Sequence, residues 1–193
     1  MFKYQAHIPD SQLENLSMML GKCIGPIYSP ALQIFDGYIL ASSLSLSLSL
    51  SGGDGFLNFK TEHQYTKHEH IYWKLCMEKS DSPANIPYTL NGNLFGDSNV
   101  TGIYLPQAWF VSGVEIFEAY KDYTSLDGEE GEEEEFIEFD FALVFHRHGG
   151  AEQFCSSLCI GSQPNSTDQL FVLTDENIIS QWIRNCKLRW STG

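Results

Sequence analysis

From Leu44 to Ser51 leucine and serine alternate without a break, so Leu44, Leu46, Leu48 and Leu50 share one face of an extended chain and Ser45, Ser47, Ser49 and Ser51 the other. A helix would scatter both sets around its circumference, so the period of two predicts a half-buried β-strand. The stretch from Ser51 to Gly55 (SGGDG) supplies residues that accept positive φ in a tight reversal. FLNFKTE then returns with Phe56, Asn58, Lys60 and Glu62 on one face and Leu57, Phe59 and Thr61 on the other. The two segments form a long hairpin with one apolar side.

Other elements follow the same logic. Ser11 and Glu14 have capping-box spacing ahead of a Leu13, Leu16, Met19, Leu20 stripe, and Gly21 suits the end of that helix. CIGPIYSP reads as an entry strand broken by Pro26 and Pro30, and ALQIF leads to a turn at Asp36-Gly37. HEHIYWKLCMEKS is a further strand, and a loop from Asp81 to Asn99 carries Pro83, Pro87, Gly92 and Gly96. Beyond it VTGIYL, WFVSGVEIFEAY and FIEFDFALVFHR are β-rich, and the last turns at His148-Gly149-Gly150 into EQFCSSLCI. QLFVL leads through Thr174 or Asp175, as N-cap, into a closing amphipathic helix whose stripe is Ile178, Ile179, Trp182 and Ile183, with Arg184 and Lys187 at its negative end. The fold expected is α+β: mainly antiparallel β-sheet with an N-terminal and a C-terminal helix packed on it. The 193 residues fit a single domain, with loop 81–99 separating two β-rich halves, 1–80 and 100–193, whose matching hairpins are compatible with a worn duplication.

Charge changes this picture at one place. Asp122, Asp127, Glu129, Glu130, Glu132, Glu133, Glu134, Glu135, Glu138 and Asp140 lie in a stretch without a single basic residue, and they account for most of the formal net charge of -14. Like charges this close weaken a compact state unless a cationic partner, water or counter-ions neutralise them. The run passes straight into Phe136, Ile137, Phe139 and Phe141, which would carry Glu138 and Asp140 on an ordered strand face. Such a face can steer a basic protein into contact and then anchor it. The bland reading is a solvated acidic loop on a plain interaction domain. A pI near 4.6 argues against nucleic acid or an anionic membrane as direct ligand. Five cysteines at irregular spacings (Cys23, Cys76, Cys155, Cys159, Cys186) do not read as a disulfide framework, and the N-terminus lacks a signal-peptide pattern, so a cytoplasmic chain with reduced thiols is expected.

Candidate chemistry is sparse. His63, His68 and His70 make the most metal-like cluster, which Glu62 or Glu78 could complete, and a metal-dependent enzyme using them is the alternative to a binding protein. Surface histidines are the commoner outcome of that spacing. His146 and His148 lie beside a Gly-Gly turn without an evident partner nearby in sequence, and Cys155 and Cys159 lack a second pair at zinc-knuckle spacing. No nucleophile elbow, phosphate loop or EF-hand register is found. These features predict neither a cofactor nor a catalytic residue.

The acidic run at 127 to 135, with the closing pattern FALVFHRHGGAEQFCSSLCI and LFVLTDENIISQWI, resembles the immunity proteins of bacterial contact-dependent inhibition and related polymorphic toxin systems. The resemblance implies a cytoplasmic, non-enzymatic α+β protein that binds and neutralises a cognate basic toxin domain, commonly a nuclease. The residues expected to meet that partner are Asp127, Glu129, Glu130, Glu132, Glu133, Glu134, Glu135, Glu138 and Asp140. Oligomeric state and the identity of the toxin are not implied.

Overall fold

The first part of the leucine-serine repeat forms a strand, Ser43–Ser47, paired antiparallel with Phe56–Tyr65 so that Leu44 faces Phe59, Ser45 faces Asn58 and Leu46 faces Leu57, whereas Leu48 and Ser49 lie beyond the strand and Leu50 to Gly53 lie outside the described residues. In the computed structural model, residues 2–30, 32–49, 54–83, 88–90, 93–95, 101–103, 109–123, 134–147, 157–162 and 169–193 are described. Through them the chain runs β1 (Phe2–Ala6), α1 (Asp10–Ser17), β2 (Cys23–Ile24), β3 (Ile27–Ser29), β4 (Leu32–Phe35), β5 (Tyr38–Ala41), β6 (Ser43–Ser47), β7 (Phe56–Tyr65) and β8 (Ile71–Ser80). It continues with β9 (Tyr88–Leu90), β10 (Asn93–Phe95), β11 (Thr101–Ile103), β12 (Trp109–Tyr123), β13 (Glu135–Arg147), β14 (Ser157–Ser162), β15 (Leu170–Leu173), α2 (Glu176–Trp182) and β16 (Lys187–Thr192).

The described residues are mostly antiparallel β-sheet with two helices. One nine-stranded sheet has the path β16-β12-β13-β14-β15-β5-β4, with β2 extending the start of β12 and β1 lying parallel to the first part of β13. A five-stranded sheet runs β11-β3-β6-β7-β8, and β9 and β10 form a small hairpin inside the segment expected to be loop. Strands from both halves of the chain enter both large sheets: β4 and β5 join the nine-stranded sheet and β11 the five-stranded one.

Apolar burial holds these layers together. The main core joins Leu44, Leu46, Leu57, Phe59, Leu75 and Met77 to Val114, Ile116, Leu143, Phe145 and Ile160, closed by Ile8, Leu16 and Met19. A second cluster packs Ile179 of α2, with Trp182, onto Ala142, Val144, Cys159, Phe171 and Leu173. A third, smaller one joins Ala6, Ile137 and Phe139 to Tyr72.

Three local expectations need correction. The serine side of β6 is not solvated: Ser45 and Ser47 are fully buried. A buried hydroxyl is costly unless hydrogen-bonded, and Ser45 Oγ donates to Asn58 Oδ1 at 2.6 Å while Asn58 Nδ2 donates to Ser80 Oγ and to the Ser82 carbonyl, both at 3.2 Å. Helix α1 begins at Asp10, two residues earlier than the expected cap at Ser11 implies, behind an extended Pro9 and without a side-chain cap, because Pro9 fixes the chain's entry and leaves Ser11 inside the helix. Helix α2 starts as expected, with Asp175 accepting the Asn177 and Ile178 N–H groups at 2.8 and 3.1 Å, but it stops at Trp182 and Lys187 opens a strand. The Asp36-Gly37 turn is as read: Phe35 pairs with Tyr38, and Gly37 takes φ +87°, a conformation that favours glycine. No helix among the described residues is long and apolar enough to cross a membrane.

Candidate partner-binding surface

Strands β12 and β13 span fifteen and thirteen residues, and their pairing closes with Tyr123 opposite Glu135. The acidic segment is therefore the connection of this long hairpin. Asp127, Glu129, Glu130, Glu132 and Glu133 lie outside the described residues. Glu134 is exposed, and its carbonyl accepts the Phe2 N–H at 2.8 Å, which ties the end of the segment to β1.

One residue later the environment reverses. Glu135 shares its strand face with Ile137 and Phe139 and is buried with them. Its Oε1 accepts the Tyr4 hydroxyl at 3.0 Å and the His68 N–H at 3.2 Å, and its Oε2 lies 2.8 Å from His70 Nδ1. Burial alone would raise this carboxyl, but hydrogen bonds from the Thr66 side chain, His70, Tyr4 and the His68 backbone outweigh it and hold the group down at about 2. Glu135 is a fixed anion near neutral pH.

The groups that fix it belong to the β7–β8 turn. Thr66 N–H donates to the His70 carbonyl at 3.0 Å, His70 N–H donates to Thr66 Oγ1 at 3.0 Å, and Glu69 takes a left-handed φ of 63°. Lys67 N–H donates to the Tyr4 hydroxyl at 2.7 Å, and the His70 ring stacks on Tyr123, 4.6 Å between centroids at 14°. Glu135 thus clasps β1, the β12–β13 hairpin and the β7–β8 turn together.

Asp140 is the second inward carboxylate and is fully buried. It lies on the opposite strand face from Glu135, the face of Phe136 and Glu138, and is roofed by Arg189. Arg189 Nε donates to Oδ1 at 2.7 Å, Arg189 Nη2 to Oδ2 at 2.9 Å, and the Ile8 N–H to Oδ2 at 2.6 Å. Burial raises this carboxyl, and the guanidinium fork with the Ile8 N–H opposes that rise. Two bulges bring the pair together: the β12–β13 register skips Phe141, and the β12–β16 register skips Arg189. The expectation that Glu135 and Asp140 present their charge to a partner is therefore corrected, since both are enclosed and hydrogen-bonded internally.

What remains open is the face of Lys3, Tyr120, Asp122, Phe136 and Glu138, whose paired registers bring them side by side. Tyr120 is 67% exposed, and its ring stacks on Phe136 with centroids 5.5 Å apart at 20°. Glu138 bonds Lys3 at 2.8 Å, and that hydrogen bond holds its carboxyl below the usual range. This aromatic pair stands at the root of the acidic segment. The sequence reading included Phe136 and missed Tyr120, whose signal was parity: it lies two residues from Asp122 and so on the same strand face.

The three histidines do not converge. His63, on β7, stands edge-on to Trp73 and Tyr65, whereas His68 and His70 hold Glu135 through a backbone N–H and a ring nitrogen. Glu62 pairs with Lys60 at 2.6 Å. No group of three or more His, Cys, Asp or Glu among the described residues could hold a metal ion. Glu78 lines a cleft of about 560 Å³ with Gln12, Ser43, Asn58, Lys60 and Cys76, whose thiol burial pushes up to about 11. The chain matches no protein-family model, no curated protein and no solved structure.

Proposed function

We propose that the chain is an immunity protein that neutralises a basic toxin domain, of the nuclease kind delivered by contact-dependent inhibition and related systems, by binding it. The observation that carries this reading is the concentration of carboxylates on one hairpin connection, Asp127 to Glu134, beside an exposed Tyr120–Phe136 pair. Acidic side chains there attract a basic surface over a Debye length, and the aromatic pair offers a flat apolar contact for a Lys or Arg stem. Glu138 adds to the rim, and Glu135 and Asp140 act only by holding the hairpin. Inhibition follows from occupancy of the toxin and requires no bond-making step.

The test begins with the reading frame immediately upstream of this chain's gene: the proposal requires it to encode a large protein with a basic C-terminal domain, which is then immobilised for binding kinetics, and an upstream frame without such a domain counts against the reading. Association with the intact chain falls steeply as salt rises. Changing Glu129, Glu130, Glu132, Glu133 and Glu134 together to Gln slows association about tenfold at low salt without lowering the unfolding midpoint, whereas Tyr120→Ala acts on dissociation. An association rate indifferent to both salt and the five-fold substitution overturns the proposal.

A further inference from the structure

At the far end of β13 from the acidic segment, three adjacent strands bring a serine, a histidine and a glutamate into line. His146 on β13 pairs in register with Ser157 on β14, and Glu115 approaches from β12. Ser157 Oγ lies 3.3 Å from His146 Nδ1, and His146 Nε2 lies 2.9 Å from Glu115 Oε2. A carboxylate only accepts, so in the neutral imidazole Glu115 holds the ring's proton on Nε2 and leaves the Nδ1 lone pair facing the Ser157 hydroxyl. That is the order of roles in an activated serine: nucleophile, general base, and a carboxylate that orients the base. The ring nitrogens are used in the reverse sense from the familiar triad, but the proton path is the same.

Access is from the histidine side. The His146 side chain is 38% exposed and that of Glu115 is 32% exposed, while Ser157 as a residue is only 7% exposed. Gly113, paired with His146 on β12, carries no side chain to cover the ring there. With Ser157 this enclosed, a small acyl or phosphonyl group is the suitable probe.

We propose that Ser157, His146 and Glu115 form a proton relay that makes Ser157 a nucleophile toward small activated esters, a reactivity independent of the binding surface. The Ser157 Oγ–C bond forms as the hydroxyl proton passes to His146 Nδ1. The carbon–oxygen bond of the leaving alcohol or phenol breaks, and His146 returns the proton to it. Water then attacks the acyl-serine, gives a proton to His146 Nδ1, and releases the carboxylic acid as Ser157 recovers its proton. Ser157 and His146 touch the reacting atoms, and Glu115 is a positioning residue.

The experiment treats the full chain with a small alkyl fluorophosphonate and reads adduct mass and site by peptide mapping, with p-nitrophenyl acetate hydrolysis as a second readout. A single adduct on Ser157 is expected, at a rate that falls about 100-fold in His146→Gln, in line with loss of a general base. Glu115→Gln slows labelling and Glu115→Asp restores it, which a purely structural role would not predict. If a variant does not fold, the pH profile of the intact chain decides: labelling that rises with pH and levels off reports an imidazole base, and labelling that climbs steadily with hydroxide overturns the relay. No adduct on Ser157 in the intact chain overturns the proposal outright.

Discussion

Replacing Glu135 by Gln isolates the buried end of the acidic run. A carboxyl held at about 2 instead of its ordinary 4.5 favours the folded, ionised state by about 3 kcal/mol at neutral pH. The substitution removes that term and leaves an amide among donors, since the Tyr4 hydroxyl, the His68 N–H and the Thr66 hydroxyl all point at the site. For a chain of this length the loss lowers Tm by about 6 to 12 °C. The pH dependence is more diagnostic. Between about 2 and 4.5 the unfolded chain binds a proton at this position that the folded chain does not, so the contribution is complete above the unfolded value and disappears as pH falls toward the folded one. Urea unfolding of parent and variant, each from pH 7 to pH 2.5, should give a gap of about 3 kcal/mol that shrinks below about 1 kcal/mol. Other carboxylates titrate in both proteins and cancel in the gap. A gap under about 1 kcal/mol at pH 7, or one that persists unchanged to pH 2.5, refutes the clasp.

Arg189→Met should cost about 3 to 5 kcal/mol, because it strips the guanidinium from a buried Asp140 and leaves that carboxylate with the Ile8 N–H. The double change Asp140→Leu with Arg189→Met should cost less than either single change in urea unfolding, since a buried pair replaced by apolar groups leaves no uncompensated charge. Gly25→Ala should cost about 3 kcal/mol or more by the same measurement, because its Cβ would collide with the Ser49 carbonyl where Gly25 N–H bonds the Ser47 carbonyl at 2.9 Å.

Much of the sheet was legible because period two is a strong signal wherever one face is buried. The alternation in 44–51 and 56–62 showed which residues of β6 and β7 share a face, though not which stand opposite one another, and β8, β12, β13 and β15 were visible as apolar, β-branched or aromatic runs. Strand β1 was not, although Phe2, Tyr4 and Ala6 alternate, because its partner is a parallel strand more than a hundred residues away. Strand β16 was absorbed into the closing helix: the apolar stripe through Ile183 continues the helical period, and only the turn in which Cys186 N–H donates to the Ile183 carbonyl at 2.9 Å ends it. At the site, parity was sufficient to turn Glu135 inward beside Ile137 and Phe139. Asp140 could not be read that way, because its burial depends on a bulge in β16 and on the chain just after β1.

A count of acidic residues therefore joins two populations that obey different electrostatics. Glu135 and Asp140 are neutralised by donors fixed in the fold, at distances of 2.6 to 3.2 Å and away from solvent, so mobile ions have little to screen. The residues from Asp127 to Glu134 owe any attraction for a basic surface to a field that reaches about 10 Å at 0.1 M salt and only about 3 Å at 1 M. Concentrated salt should then abolish rapid association with a basic domain while leaving the Glu135 and Asp140 contributions to unfolding nearly intact. If stability and association instead decline together as salt rises, the inward carboxylates are not shielded as their hydrogen bonds require, and the division of the run into clasp and lure fails.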